Sequence, residues 1–261
     1  MARLLILDSG VGGLSVYHEI HKRLPDLKVD YALDNEAYPY GNKDETWLSK
    51  RVVNWCQLLI ARYEPDIIVL ACNTASTATL PALRAAISIP IVGVVPAIKT
   101  AAQISSSKNI GLLATPGTVT RRYTQELIND FAKDCQVTKV GAHHLVHIAE
   151  DKLQGITVDM PLLASEIAPL LENNVDTVVL GCTHYPLLRA ELQQLAPHIN
   201  WVDSGEAIAR RVESLLQNHK GFDYSKDMSL SSTAPISEAL KTYLQSLGFN
   251  HFDLINVPEN G

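Results

Sequence analysis

Two short stretches of this 261-residue chain carry the residue types that do acid–base or nucleophilic chemistry. They are A-C-N-T-A-S at residues 71–76 and G-C-T-H-Y-P at residues 181–186. Each follows an apolar run opened by an aspartate, D-I-I-V-L from Asp66 and D-T-V-V-L from Asp176. Each then passes through a small residue and a cysteine into a helix start. A cysteine between a strand end and a helix N-terminus has its thiolate favoured by the helix dipole and the free amides of the first turn. Beside Cys72, the residues Asn73, Thr74 and Ser76 can cap the helix or bind a ligand. Beside Cys182, Thr183 offers a hydroxyl and His184 a titratable ring. Two chemistries fit these residues. One thiol with His184 makes a nucleophile and its base, as in a hydrolase or lyase. Two thiols, one from each stretch, make a base and an acid for opposite faces of one carbon, the symmetry that inversion of a carbon centre requires.

The elements that hold these stretches follow from the apolar pattern. Strands are predicted over 3–7, 29–33, 67–71, 89–95, 110–114, 137–141, 177–181, 201–202, 228–231 and 252–257. Helices are predicted over 14–24, 47–63, 76–86, 120–131, 160–171, 187–196, 206–217 and 235–247. Several strands are near-continuous apolar runs, as a parallel sheet covered on both faces requires. Strand–helix alternation throughout predicts an α/β fold built of βαβ units. The repeated Asp–strand–Cys pattern predicts two similar halves. Each presents a cysteine at the carboxyl edge of its sheet, where open α/β sheets bind ligands.

Other motifs are less specific. L-D-S-G-V-G-G-L-S at residues 7–15 ends a strand, and its glycines let the backbone approach a ligand closely. The following helix start suits an anion, with Asp8 in front of it. Asp8 reads equally well as a cap of a tight turn. The motif fails the dinucleotide fingerprint because Ser15 stands at the last glycine position, and fails the P-loop because Leu14 stands where Lys belongs. D-N-E-A-Y-P-Y-G-N-K at residues 34–43 is a turn, with Asp34 at a strand end and free to point at the site, and Glu36, Asn42 and Lys43 on the surface. His143, His144 and His147 lack a metal-binding frame and read as solvated or packing residues. Cys56 and Cys135 read as packing residues.

Composition excludes other classes. Hydrophobic residues make up 46% and charged residues 19%, as in a folded globular chain. The net charge is −6, and Lys/Arg clusters never exceed two residues, so nucleic-acid binding is not expected as the main role. No apolar run reaches the length of a membrane span, and the N-terminal run is too short for a signal peptide. Four cysteines without C-x-x-C spacing point to free thiols in a reducing, cytoplasmic setting.

Together, D-S-G-V-G-G-L-S, Y-P-Y-G-N-K, A-C-N-T-A-S, G-C-T-H-Y-P and the G-V-V-P-A-I-K segment at 93–99 resemble the glutamate racemase family of the cofactor-independent aspartate/glutamate racemase superfamily. The motifs stand in family order over nearly the whole chain. The resemblance implies two pseudo-symmetric α/β domains with mainly parallel sheets and the active site at their interface, here 1–95 plus 205–261 and 96–204. It implies interconversion of L- and D-glutamate for peptidoglycan, no pyridoxal phosphate or other cofactor, no metal, a small-molecule substrate, no membrane and room for a homodimer. Aspartate racemase is the nearest alternative activity. By motif, Cys72 and Cys182 are the acid/base thiols, the first serving the D-isomer and the second the L-isomer. Asp8, Ser9, Tyr40, Gly41, Asn73, Thr74, Thr183 and His184 match substrate-binding positions. Asp8, His184 and Glu150 match groups that assist the thiols. The chain departs from the family at Leu7, often Phe, and before Glu150, where H-L-V-H-I-A-E lacks the usual prolines. Some enterobacterial members have an N-terminal extension linked to activation by a UDP-muramyl precursor. With seven residues before Asp8, that regulation is not expected here.

Overall fold

A computed structural model describes residues 2–217 and 228–258 of the chain. Residues 218–227 and 259–261, which belong to the 205–261 segment of the expected first domain, lie outside the described residues. In chain order the elements begin β1 (Leu4–Asp8), α1 (Leu14–Arg23), β2 (Val29–Leu33), α2 (Glu45–Tyr63), β3 (Ile67–Leu70), α3 (Asn73–Ala86) and β4 (Ile91–Gly93). They continue with α4 (Ile98–Ile104), β5 (Asn109–Ala114), α5 (Pro116–Thr120), α6 (Arg122–Phe131), β6 (Gln136–Gly141), α7 (His144–Leu153), α8 (Met160–Glu172), β7 (Thr177–Leu180), α9 (Arg189–Leu195) and β8 (Asn200–Val202). The last are α10 (Gly205–Leu216), β9 (Met228–Ser232), α11 (Glu238–Ser246) and β10 (Phe249–Leu254). Short 3₁₀ turns cover Tyr40–Asn42 and Tyr185–Leu188. No described helix is long and apolar enough to cross a membrane.

Two parallel sheets result. One runs β10-β9-β2-β1-β3-β4 and the other β6-β5-β7-β8. The order 2-1-3-4 of the first sheet recurs as 6-5-7-8 in the second, so β3 and β7 are topological equivalents. The bonds that close the strand ends also match. Ala71 N–H donates to the Leu7 carbonyl as Gly181 N–H does to Leu113, both at 2.7 Å. Asp34 N–H donates to Asp8 as Ala142 N–H does to Ala114, both at 2.9 Å. The segment after Ser204 adds β9 and β10 to the first sheet.

Both faces of each sheet are covered, which is why the strands read as unbroken apolar runs. In β3, Ile67 and Val69 pack with Leu14, Tyr17 and Ile20 of α1 and Ile208 and Val212 of α10. Ile68 and Leu70 face the other way, onto Val52, Trp55 and Leu59 of α2 and Leu83 of α3. The second sheet likewise packs Val178 and Leu180 against α7 and α8, and Leu112 and Val179 against α4.

Several predicted bounds change for local reasons. The strand expected over 89–95 shortens to β4 because prolines at 90 and 96 bracket it. The helix expected from Ser76 starts at Asn73, with Cys72 at its N-cap. The helix over 120–131 starts later, as α6, because Arg121 leaves the helical region at φ −66°, ψ 143° and separates it from the short α5 before it. The helix over 187–196 begins as a 3₁₀ turn and becomes α9. The 235–247 helix starts later, capped by Ser237, and the 252–257 strand lies earlier, as β10. Helices α4, α5 and α7 were not anticipated.

Candidate active site

The thiols occupy matching places. Cys72 stands two residues beyond the end of β3 and Cys182 two beyond the end of β7. Both are 7% exposed, so a substrate must be taken inside the protein to meet them. Asp8, Ser9, Asn73, Thr74, Thr183 and His184 are buried around them, as is Tyr40 in its 3₁₀ turn with Gly41.

Asp8 ends β1 beside Cys72. Its Oδ1 accepts the Ser9 N–H at 2.7 Å and its Oδ2 the Gly13 N–H at 2.6 Å. The expectation of an anion site at the α1 start is therefore corrected: the anion held there is the Asp8 carboxylate itself. Burial pushes Asp8 up to about 6, against the pull of His184 and the two amides. Burial, reinforced by Asp8, likewise pushes the Cys72 thiol well above the usual range, and the Ala75 amide at its sulfur only partly offsets this.

Cys182 has a different companion. His184 Nδ1 lies 3.8 Å from its Sγ, and His184 Nε2 lies 2.8 Å from Glu150 Oε1. The same carboxylate oxygen accepts the Val11 N–H at 2.9 Å. Burial alone would lower His184, but its hydrogen bonds to Cys182 and Glu150 outweigh that and hold it well above its ordinary value. An imidazolium donates from both ring nitrogens, which suits a ring with a sulfur on one side and a carboxylate on the other.

The glycine-rich loop gains a specific meaning. A Cβ on Gly12 would overlap the His184 ring, and one on Gly10 would overlap Glu150 Oε1. The close approach expected of a ligand is made instead by the His184–Glu150 pair, reaching over from the second sheet. Ser15 reinforces it by donating from Oγ to the Thr183 carbonyl at 2.7 Å.

Asp34 also differs from expectation. Its carboxylate faces Arg51 and the Tyr40 hydroxyl, and Glu36 on the surface joins the same arginine. Among the histidines, His144 pairs with Glu166 at 2.7 Å, and His147 sits edge-on to Tyr38, itself 6.0 Å ring to ring from His184. No group of three or more His, Cys, Asp or Glu among the described residues is arranged to hold a metal ion. Cys56 is buried among α2 side chains, and Cys135 packs against the cluster under α4.

Sequence reasoning passed over Tyr38, Thr115, Thr118 and Arg121. The Thr74 hydroxyl lies 3.1 Å from that of Thr115 and 3.2 Å from that of Thr118, and Arg121 Nη1 donates to the Thr74 carbonyl at 3.1 Å. A signal was present: Thr115-Pro116 after β5 is a helix cap at a strand end, matching the place of Ser9-Gly10 after the equivalent strand β1.

A fold of two parallel sheets with a cysteine at the same edge of each defines a class, and the comparisons agree with it. The family model described as Asp/Glu/Hydantoin racemase matches residues 9–212. A glutamate racemase of Vibrio campbellii is 49% identical over 261 residues, covering 98% of this chain and 97% of its own. One from Vibrio cholerae serotype O1 is 50% identical over 251 residues, covering 95% and 94%. The crystal structure of Escherichia coli glutamate racemase, in complex with L-glutamate and the activator UDP-MurNAc-ala, superposes with a TM-score of 0.93 at 46% identity, covering 98% of this chain and 99% of that one. The chain belongs to the Asp/Glu/hydantoin racemase family. It is an isomerase, an amino-acid racemase.

Proposed function

We propose that this chain interconverts L- and D-glutamate by a two-thiol 1,1-proton transfer without a cofactor. The observation that carries the reading is the pair of buried cysteines at equivalent strand ends of two like-ordered sheets, each with its own ionisable companion. From L-glutamate, the Cys182 thiolate takes the α-proton from one face and the Cys72 thiol gives its proton to the other. This leaves Cys182 as thiol and Cys72 as thiolate. D-glutamate reverses the roles, and either resting state is restored by moving one proton between the two ends. Asp8 assists Cys72, and His184, oriented by Glu150, assists Cys182. Neutral donors on Ser9, Asn73, Thr74 and Thr183 and at the Tyr40–Gly41 turn hold the carboxylates and stabilise charge developing at Cα.

An α-proton is far less acidic than a thiol of ordinary pKa about 8.5, so enclosure and donor placement must supply the difference. The division of the chain at 95/96 and 204/205 goes with this reading, since it puts one thiol in each lobe. So does the role implied by the family resemblance, the supply of D-glutamate for peptidoglycan, in the cytoplasmic setting expected from the free thiols. The test is to incubate the protein with each enantiomer of glutamate and of aspartate and follow optical rotation. Glutamate should decay to zero rotation from either side. Aspartate, one methylene shorter, should turn over roughly 10–200-fold less efficiently. Release of ammonia or CO₂ in place of racemisation would support a single-cysteine lyase and overturn the proposal.

A further inference from the structure

Arg51 lies in the middle of α2, 8% exposed, and the reaction proposed above gives it no role. Its guanidinium meets Asp34 as a fork, Nε to Oδ2 at 3.0 Å and Nη2 to Oδ1 at 2.7 Å. Asp34 is fully buried and has four donors, two on each oxygen. Oδ2 also accepts the Tyr40 hydroxyl at 2.6 Å, and Oδ1 the Thr233 hydroxyl at 2.9 Å. Arg51 uses two further donors on Glu36 at 2.9 Å and the Val257 carbonyl at 3.4 Å. A carboxylate with every lone-pair site filled has one geometry. The Tyr40 side chain is tied into that geometry.

Fold stability alone is a poor account of such a pair. Taking two charges out of water costs about as much as their attraction returns, and apolar residues of similar volume often serve as well. What apolar residues would not supply is an acceptor at a fixed point for Tyr40. The Tyr40–Gly41 turn is pressed from its other side by the second sheet. A Cβ on Gly41 would lie 3.1 Å from Thr115 Cβ, and one on Gly117 would lie 2.6 Å from the Gly41 carbonyl oxygen. Thr115 in turn shares its hydroxyl with Thr74. The turn is thus clamped between the Arg51–Asp34 fork and the threonines beside Cys72.

We infer that Arg51 is a positioning residue for substrate binding: through the Asp34 fork it fixes Tyr40, and so the Tyr40–Gly41 turn that receives a carboxylate of the substrate. The inference rests on the glutamate reading above. A second route from the fork exists, because the Asp34 N–H donates to the Asp8 carbonyl, and the test separates the two.

The experiment is a double-mutant cycle of Arg51→Lys and Tyr40→Phe on the full chain, with thermal melting to establish folding. Lysine keeps the charge but cannot make the fork, and phenylalanine removes only the hydroxyl. Each single variant should raise KM for glutamate roughly tenfold while kcat falls less, and the double variant should do no worse than the poorer single one. The acid limb of the pH profile should stay where it is in the wild type. Multiplying KM effects, an unchanged KM in Arg51→Lys, or a displaced acid limb that signals action through Asp8 would each overturn the inference. Wild-type turnover of glutamate is measured alongside. Its absence overturns the parent reading, whereas turnover with multiplying effects overturns only this one.

Discussion

The Cys72 and Cys182 ends of the site share a backbone and differ in side chains. Strand order, the hydrogen bonds after each strand and the placement of each cysteine agree between the two sheets. In that alignment Asp8 corresponds to Ala114, and Thr74 to His184. The first half therefore sets a carboxylate from the neighbouring strand β1 beside its thiol. The second half has alanine there and instead places an imidazole two residues after its thiol. The electrostatic results are opposite. Buried Cys72 beside Asp8 is held as the neutral thiol, and Asp8 itself titrates at about 6. His184 is held as imidazolium between Cys182 and Glu150. One end is thus prepared to give a proton while the other keeps a positive charge beside its sulfur. A repeated fold supplies the symmetry of position, and the local partners set a direction on it.

The enantiomers have equal free energy, so kcat/KM must be the same from either side at every pH. The asymmetry can appear only in kcat and KM taken separately, and in what each end does when its partners are altered. The largest expected effect comes from removing either thiol. Cys72→Ala and Cys182→Ala should each lower racemisation by roughly 10⁴-fold or more, because each direction needs both groups. Retention of substantial activity in either variant would show that the two ends are not both required.

A smaller effect should break one end and spare the other. In Gly12→Ala the added methyl displaces the His184 ring and leaves Asp8 and Cys72 in place. A displacement of about 1 Å can cost on the order of 10²-fold in rate. The loss should come with a changed pH dependence of the Cys182 half. Wild-type rates in this variant would contradict the packing of His184 on the glycine loop.

The smallest effect is on stability and isolates the Cys72 end. Asp8 rises from an ordinary 3.8 to about 6 in the folded chain. Between those values the folded state binds more protons than the unfolded one, so Asp8 stabilises the fold at low pH and that stabilisation is lost as pH climbs through 6. Against a non-titrating Asp8→Asn variant, the wild type should lose about 2 kcal/mol between pH 4 and pH 7. Denaturant unfolding of both proteins at the two pH values measures this. A pH-independent difference would mean that Asp8 is not held in a desolvating site.

What was legible in the sequence was local. The strand-end cysteines, Asn73, Thr74 and Thr183 announce themselves because strand, small residue, cysteine and cap are consecutive. The βαβ alternation follows from apolar runs that are buried on both faces. What was hidden depends on elements far apart in the chain. Glu150 meets His184 only because α7 packs beside the turn after β7, and the two meet Gly10 and Gly12 only where the halves come together. The Asp34–Arg51 fork joins a strand end to the middle of a helix, and in sequence Arg51 is one more polar position on α2. Helix α7 begins in a run of histidines that carries no helix signal of its own, and α4 is too short for its period to show.

The central claim is that one thiol takes the α-proton while another, on the opposite face, gives one back. It is tested most directly by running L-glutamate in D₂O, stopping early, separating the enantiomers and weighing each for α-deuterium. Two thiols on opposite faces predict a D-glutamate product that carries solvent deuterium and a remaining L-glutamate pool that carries none. Deuterium entering the unreacted L-glutamate as fast as product forms, or product that keeps the original proton, would mean that a single base serves both faces and would contradict the account.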